Sequence, residues 1–211
     1  MYKETIDSKT YGYGHFEPLK HYAEVHLKIE PNKRGEGITF ENKCHADDLT
    51  TGNQNLIKTH IFERNHHGLL TGSPITDIKI TLLTGRAHNK HTEGGDFREA
   101  TFRAMRQGLE KANNILLEPF YKFKIDVELD YMGKVISDIQ RLNGSFDPPE
   151  TKINKVSITG RGPVATFMDY SSEILTFTKG KGSVSLIFDG YDVCHLSLIH
   201  ISEPTRRRGI S

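Results

Sequence analysis

Apolar and polar positions alternate with a period of two at two places in the N-terminal half of the chain. In residues 21–30, HYAEVHLKIE, Ala23, Val25, Leu27 and Ile29 share one face, and in residues 77–83 Ile78, Ile80 and Leu82 do the same. Each run predicts a strand with one buried face. YKETI at the start reads as a further strand, leading into a Gly-rich loop over Tyr11–Lys20 with Gly12, Gly14, His15 and Pro18. Asn32–Gly37 is a turn signal, after which Ile38–Phe40 resumes extended structure. Leu56, Ile57, His60 and Ile61 recur at helical spacing, which predicts a helix from about Leu49 to His66 with Gly68 as its left-handed C-terminal residue. A second helix is predicted over Asp96–Ala112. Asp96 is its expected N-cap and Glu99 its capping-box partner, while Ala100, Ala104, Gly108 and Ala112 form a small-residue stripe suited to close packing.

A new pattern begins at Leu117. Tyr121, Phe123, Ile125, Val127 and Leu129 alternate as a strand, and Met132, Val135, Ile136 and Ile139 then space as a helix ended by Gly144. Phe146 and Val156–Ile158 suggest two strands around Pro148 and Pro149, Pro163–Ser172 a second helix, and Ser183–Phe188 a last strand. The order β-α-β-β-α-β is that of ferredoxin-like domains. The expected class is therefore α+β with two domains, 1–116 and 117–195, divided near Asn114–Leu117.

Between the strand at 77–83 and the helix at 96–112 the alternation stops at Gly85, and no apolar face is available before Phe97. That stretch carries Arg86, His88, Asn89, Lys90 and His91. A long polar excursion between well-formed elements is commonly functional. Here it is basic and rich in hydrogen-bonding groups, with no nucleophile and no carboxylate pair, which suits contact with RNA better than catalysis. Lys179-Gly180-Lys181-Gly182 adds a second candidate, since the glycines permit close approach and the lysines supply charge for a phosphate. The competing view of Lys179 and Lys181 is a plain flexible turn. For Arg98, Arg103 and Arg106 it is an ordinary solvated helix face.

Catalytic machinery is weakly supported. Thr178–Ser183, TKGKGS, lacks the order of a phosphate-binding P-loop, and Asp130–Gly133 fits D-x-x-G with no P-loop beside it. Eleven histidines occur, but none at the spacing of a zinc motif. A hydrolase built on His88, His91 and Asp96 remains the rival from another class, and a protein-interaction module a third. Hydrophobic residues make up 36% and charged residues 26% of the chain, with a net charge of +1. That balance excludes a broadly cationic nucleic-acid binder, so RNA contact must come from local basic tips. No apolar run reaches membrane-spanning length and MYKETIDSKTYGYGH has no secretory core, so a cytoplasmic, membrane-free, monomeric protein is expected. Cys44 and Cys194 have no disulfide-framework spacing and are expected as thiols. Leu196–Arg206, LSLIHISEPTR, resembles the conceptual translation of a sequencing-library adapter, so 196–211 are expected to be a disordered scar and the chain a fragment of a longer protein.

The succession YKETI, GYGHFEP, SPITDIKITLLTGRAH, DFREATFRA and LLEPFYKFKI resembles the C-terminal part of translational GTPases of the elongation factor G superfamily. The resemblance covers roughly residues 2–195. It implies that 1–116 is a ribosomal-protein-S5-like β-α domain, domain IV, and that 117–195 is the ferredoxin-like domain V. It further implies a bacterial ribosome as partner. The domain IV tip would enter the small-subunit decoding region and domain V would lie near the GTPase-associated rRNA of the large subunit. Gly14 and His15 join the candidate RNA contacts on the strength of the family's Gly-His loop. No cofactor is implied for this fragment, while GTP and Mg belong to the N-terminal domain of the parent, the part that is a GTPase. Elongation factor G itself usually shows a GGRGQYGH loop and a YHDVDSSE-like tip; this chain keeps Gly14-His15 and His88 but has neither GGRGQ nor the acidic Asp-Ser-Ser-Glu. Asp96-Phe97-Arg98, Leu175-Thr176-Phe177 and Gly190-Tyr191 are closer to the ribosomal protection proteins of tetracycline resistance. Their usual Tyr-Ser-Pro-Val tip is replaced by His88-Asn89-Lys90-His91.

If residues 196–211 are idle, ending the chain after His195 changes the melting temperature little. A loss of several degrees, roughly 1 kcal/mol or more at this size, would make the tail part of the fold.

Overall fold

The computed structural model describes residues 1–194, so the expected scar at 196–211 lies outside the described residues. Two compact units divide between Leu116 and Leu117.

The first unit contains β1 (Lys3–Ile6), β2 (Thr10–Phe16), β3 (Ala23–Pro31), β4 (Ile38–Asn42), α1 (Thr51–Phe62), β5 (Ile78–Ala87) and α2 (Gly94–Lys111). A four-stranded sheet has the order β2-β3-β5-β4, antiparallel except for the parallel pair β4 and β5. Both helices contribute to the core on one face of it. Val25, Leu27, Ile29, Ile78, Ile80 and Leu82 face Ile57, Ile61, Phe97, Ala100, Ala104 and Met105, which bears out the alternation in β3 and β5 and the small-residue stripe of α2. The opposite face of the sheet carries polar and ring side chains.

Three expectations are corrected here. The segment expected as a Gly-rich loop is strand β2, with Gly12 opposite Leu27 and Gly14 opposite Val25. It lacks the usual apolar signal because α2 passes against it too closely for side chains. A Cβ on Gly14 would lie 1.7 Å from the Ala100 carbonyl oxygen, and one on Gly12 would lie 1.9 Å from that of Ala104. Across this seam the Thr10 hydroxyl donates to the Gly108 carbonyl at 3.0 Å and the Tyr13 amide to the Gln107 side chain at 2.8 Å.

Helix α1 ends at Phe62 rather than His66, and Gly68 is not its cap. The chain beyond Arg64 turns instead around Glu4, a fully buried carboxylate. It accepts hydrogen bonds from the amides of Leu70 (2.9 Å), Thr71 (2.8 Å) and Ser73 (3.2 Å), and from the Thr71 hydroxyl (2.9 Å). Gly68 leaves room for that carboxylate, since a Cβ there would meet Glu4 Oε2 at 2.0 Å. Satisfying a buried charge outweighs one more helical turn.

Helix α2 starts at Gly94 with Glu93 as N-cap, not Asp96. Asp96 is the third helical residue, and its carboxylate reaches back to accept from the Glu93 amide at 2.8 Å. The capping box is thus present one turn earlier than expected, with Asp96 in the role assigned to Glu99.

The second unit has most of β6 (Asn114–Glu128), which begins three residues before the division, then a 3-10 turn at Leu129–Tyr131, α3 (Met132–Arg141), β7 (Ser145–Phe146), β8 (Glu150–Lys152), β9 (Lys155–Pro163), α4 (Val164–Phe167), α5 (Tyr170–Phe177) and β10 (Ser183–Val193). Strand β6 lies between β10 and β9, while β7 and β8 both pair with β9, all antiparallel. The βαββαβ order is present, around Phe123, Ile125, Val135, Ile139, Ile158 and Phe167. Strand β6 starts before Leu117 and ends short of Leu129, which opens the 3-10 turn. The second helix is broken at Met168 and Asp169 and runs on to Phe177. Strand β10 continues past Phe188 through an irregularity at Gly190, where φ is +81°. At the end of α3 the left-handed residue is Asn143, φ +58°, and Gly144 follows it. The Gly144 amide donates to the Ile139 carbonyl at 2.8 Å, and the absence of a Cβ there makes room for Phe167.

Replacing Gly14 by alanine should cost about 3 kcal/mol in urea unfolding, because the new methyl meets helix backbone that cannot step aside. Gly95→Ala, with open space around it, should stay within about 0.5 kcal/mol. Equal effects would contradict the seam.

Candidate nucleic-acid interface

The polar excursion is shorter and more ordered than its composition suggests. Strand β5 does not stop at Gly85. It pairs on through Gly85, Arg86 and Ala87 with Val25, Glu24 and Ala23 of β3, which leaves only His88–Glu93 between strand and helix. The register shifts at Leu83, since His26 faces Thr84 while Leu27 faces Leu82. One extra residue in a strand inverts which side its later residues face. Gly85 is therefore buried and Arg86 is exposed. Without the shift, Arg86 would continue the Ile78-Ile80-Leu82 series into the core.

Beyond Ala87 the chain closes on itself. The amides of His91 and Thr92 both donate to the His88 carbonyl at 3.0 Å, and the His88 amide donates to the Thr92 hydroxyl at 2.7 Å. That hydroxyl donates in turn to the Tyr22 carbonyl at 2.6 Å, while the Tyr22 amide donates to the His91 carbonyl at 2.9 Å. The turn is tied at its base to the start of β3. His88, Asn89, Lys90 and His91 project from it exposed, with the two imidazoles stacked at 4.6 Å.

This pair ends a path of rings along the open face of the sheet. His26 packs at 4.7 Å on Tyr13, its cross-strand partner, and Tyr13 lies 6.1 Å from His15. His15 meets Tyr22 edge-on at 5.4 Å, and Tyr22 meets His88 at 6.5 Å. The Tyr22 hydroxyl donates to the Glu24 carboxylate, which holds its pKa above the usual phenol value. Tyr13 is shifted the same way, by burial and the nearby Glu24 charge. Both phenols therefore stay neutral, so the surface offers planar rings without added negative charge. Tyr13, Tyr22 and His26 were not among the residues expected from sequence. The signal is the alternation of Tyr11, Tyr13 and His15, which the neighbouring glycines disguise as a loop.

The remaining expected residues fall in different places. Arg86 overlooks a polar hollow of about 310 Å³ that Glu24, Asp47 and Asp48 also line, so its charge is partly offset. His15 is half-buried, its ring 3.1 Å from the Glu17 carboxylate. Gly14 is buried beneath α2, and the role the structure gives it is packing. Lys179 and Lys181 belong to the second unit. Their turn is a helix cap rather than a plain flexible loop. Lys179 is left-handed at φ +53°, and the Gly180 amide donates to the Leu175 carbonyl at 2.8 Å. Lys181 is exposed and pairs with Glu128 at 3.1 Å, which raises its pKa. Asp96 turns its carboxylate to His21, at 3.0 Å, and to the Glu93 amide. Those contacts occupy the acid that a hydrolase on His88 and His91 would need.

Comparison with known proteins agrees over both units. Residues 1–113 match the family model "Elongation factor G, domain IV" and residues 115–201 match "Elongation factor G C-terminus". The tetracycline resistance protein TetP of Clostridium perfringens is 31% identical over 170 residues, which is 81% of this chain and 26% of TetP. The chain thus spans about a quarter of that relative. A crystal structure of a protein from Thermus thermophilus superposes with a TM-score of 0.82 at 25% identity, over 95% of this chain and 30% of that one.

Proposed function

This chain belongs to the elongation factor G family, and from that premise we propose that it is the ribosome-binding part of a translational GTPase of the tetracycline-resistance protection type. The observation that carries the proposal is the tip. An exposed turn with four hydrogen-bonding side chains and no carboxylate from Arg86 to His91 is held at both ends by a strand and a capped helix. Such a turn can enter a nucleic-acid groove without first paying the entropy of ordering itself. His88, Asn89 and His91 supply donors and acceptors for base edges, and Lys90 supplies charge for phosphate. The ring path behind the turn adds flat surface on which an unpaired base can stack.

In this account the tip enters the small-subunit decoding region, and the second unit lies near the GTPase-associated rRNA of the large subunit, with Lys179 and Lys181 toward phosphate. The partner is the bacterial ribosome and the setting cytoplasmic, as the family membership suggests. GTP and Mg act in the N-terminal domain of the parent, and this part contributes binding rather than hydrolysis. The likeness to TetP favours drug release over translocation.

The test is the parent protein with His88, Lys90 and His91 all changed to alanine. Three lost contacts of about 1 kcal/mol each predict a fall of roughly a hundredfold in ribosome-dependent tetracycline release, with unfolding unchanged. Loss of translocation instead of drug release would move the chain to the translocase branch. Full activity with an intact fold would reduce the tip to a passive loop.

A further inference from the structure

A second surface with the chemistry of a binding site lies away from the tip, between α2 and the segment Arg64–Leu69. A cavity of about 510 Å³ opens there. Phe102 lines it together with the buried Met105 and Leu109, and among the described residues its charged lining is Arg64, Arg103 and Arg106. Among the described residues no carboxylate lines it.

The arginines are unequally engaged. The Arg64 guanidinium lies 3.5 Å from the centre of the Phe102 ring, and among the described residues it forms no ion pair. Arg103 donates one hydrogen bond to the His15 carbonyl at 2.8 Å and likewise has no carboxylate partner among the described residues. Arg106 is paired with Glu110 at 2.9 Å. The wall is completed by His66, which donates its Nε2 proton to the Ile61 carbonyl at 2.8 Å and meets Phe102 edge-on at 6.0 Å. Its burial pushes the imidazole pKa below the usual value, so it adds shape and not charge.

We propose that this cavity takes one unstacked nucleotide of single-stranded RNA, its base on the outer face of the Arg64 guanidinium and its phosphate on Arg103 and Arg106. A guanidinium stacked on a ring leaves its second face as a flat platform, and bases stack readily on such planes. Arginine forks match phosphate oxygens in a way that ammonium groups do not. An acidic peptide would use the charge but leave the flat platform unfilled. The choice of RNA rests on the function proposed above, but no residue of the tip takes part, so the two can fail separately.

The test uses the full chain and a fluorescein-labelled single-stranded oligoribonucleotide carrying 4-thiouridine, read by anisotropy and by crosslink mapping. Removing one stacking platform with Arg64→Gln should weaken binding about fivefold to tenfold, with unfolding unchanged, and crosslinks should fall on Phe102 or on 64–69. Arg106→Gln should weaken binding and lower its salt dependence. Wild-type affinity in Arg64→Gln would overturn the proposal, and if the alanine tip variant lost binding in the same assay the tip account would still stand. Displacement of the RNA by poly-glutamate as effectively as by unlabelled RNA would assign the cavity to acidic protein segments and overturn it too.

Discussion

The backbone oxygens of Ala100 and Ala104 stand where Gly14 and Gly12 would otherwise carry their Cβ atoms. This contact sets how closely α2 can lie on the sheet, and much of the first unit depends on it. With α2 at that distance, Phe97, Ala104 and Met105 join Leu27, Ile29 and Ile80 in one core. The N-terminus of α2, closed by the bond from the Glu93 amide to Asp96, then stands beside the end of β5. Only six residues remain to be bridged, and the Thr92 hydroxyl fastens them to Tyr22. The orientation of His88 and His91 is therefore inherited from a packing distance set by residues that are themselves buried.

Much of this was readable from the chain, where the physics is local. Period two in β3 and β5 marks a sheet with one buried face, and Ala100, Ala104 and Gly108 mark a helix meant for close contact. The βαββαβ order of the second unit follows from alternating patterns alone. The misreadings fall where a residue's role is set by a partner distant in sequence. Gly12 and Gly14 look like a loop until α2, some ninety residues away, explains them. Gly68 looks like a helix cap until Glu4 is seen beside it. The shift at Leu83 leaves no mark in composition, yet it turns Arg86 outward.

The candidate site was legible in part for the same reason. His88, Asn89, Lys90 and His91 were identifiable as a polar tip with no face to bury. Their order was not, because it comes from backbone groups and from Thr92, and not from any apolar signal. The ring path from His26 to His91 was missed, since it joins residues of β2, β3 and the tip that are far apart in sequence. The arginine-lined cavity was half seen, as Arg103 and Arg106 on a helix face, without Arg64 or the Phe102 ring that turn charge into a shaped site.

The central claim is that the tip is preset by the frame and not ordered on binding. Amide hydrogen exchange of the free chain tests it directly. A preset tip predicts slow exchange at Tyr22, His88, His91 and Thr92, whose amides are all bonded, comparable to the centre of β3, and fast exchange at the exposed Asn89. Uniformly fast exchange from His88 to Thr92, beside a protected β3, would show a tip that is loose until it meets its partner, and would contradict the claim.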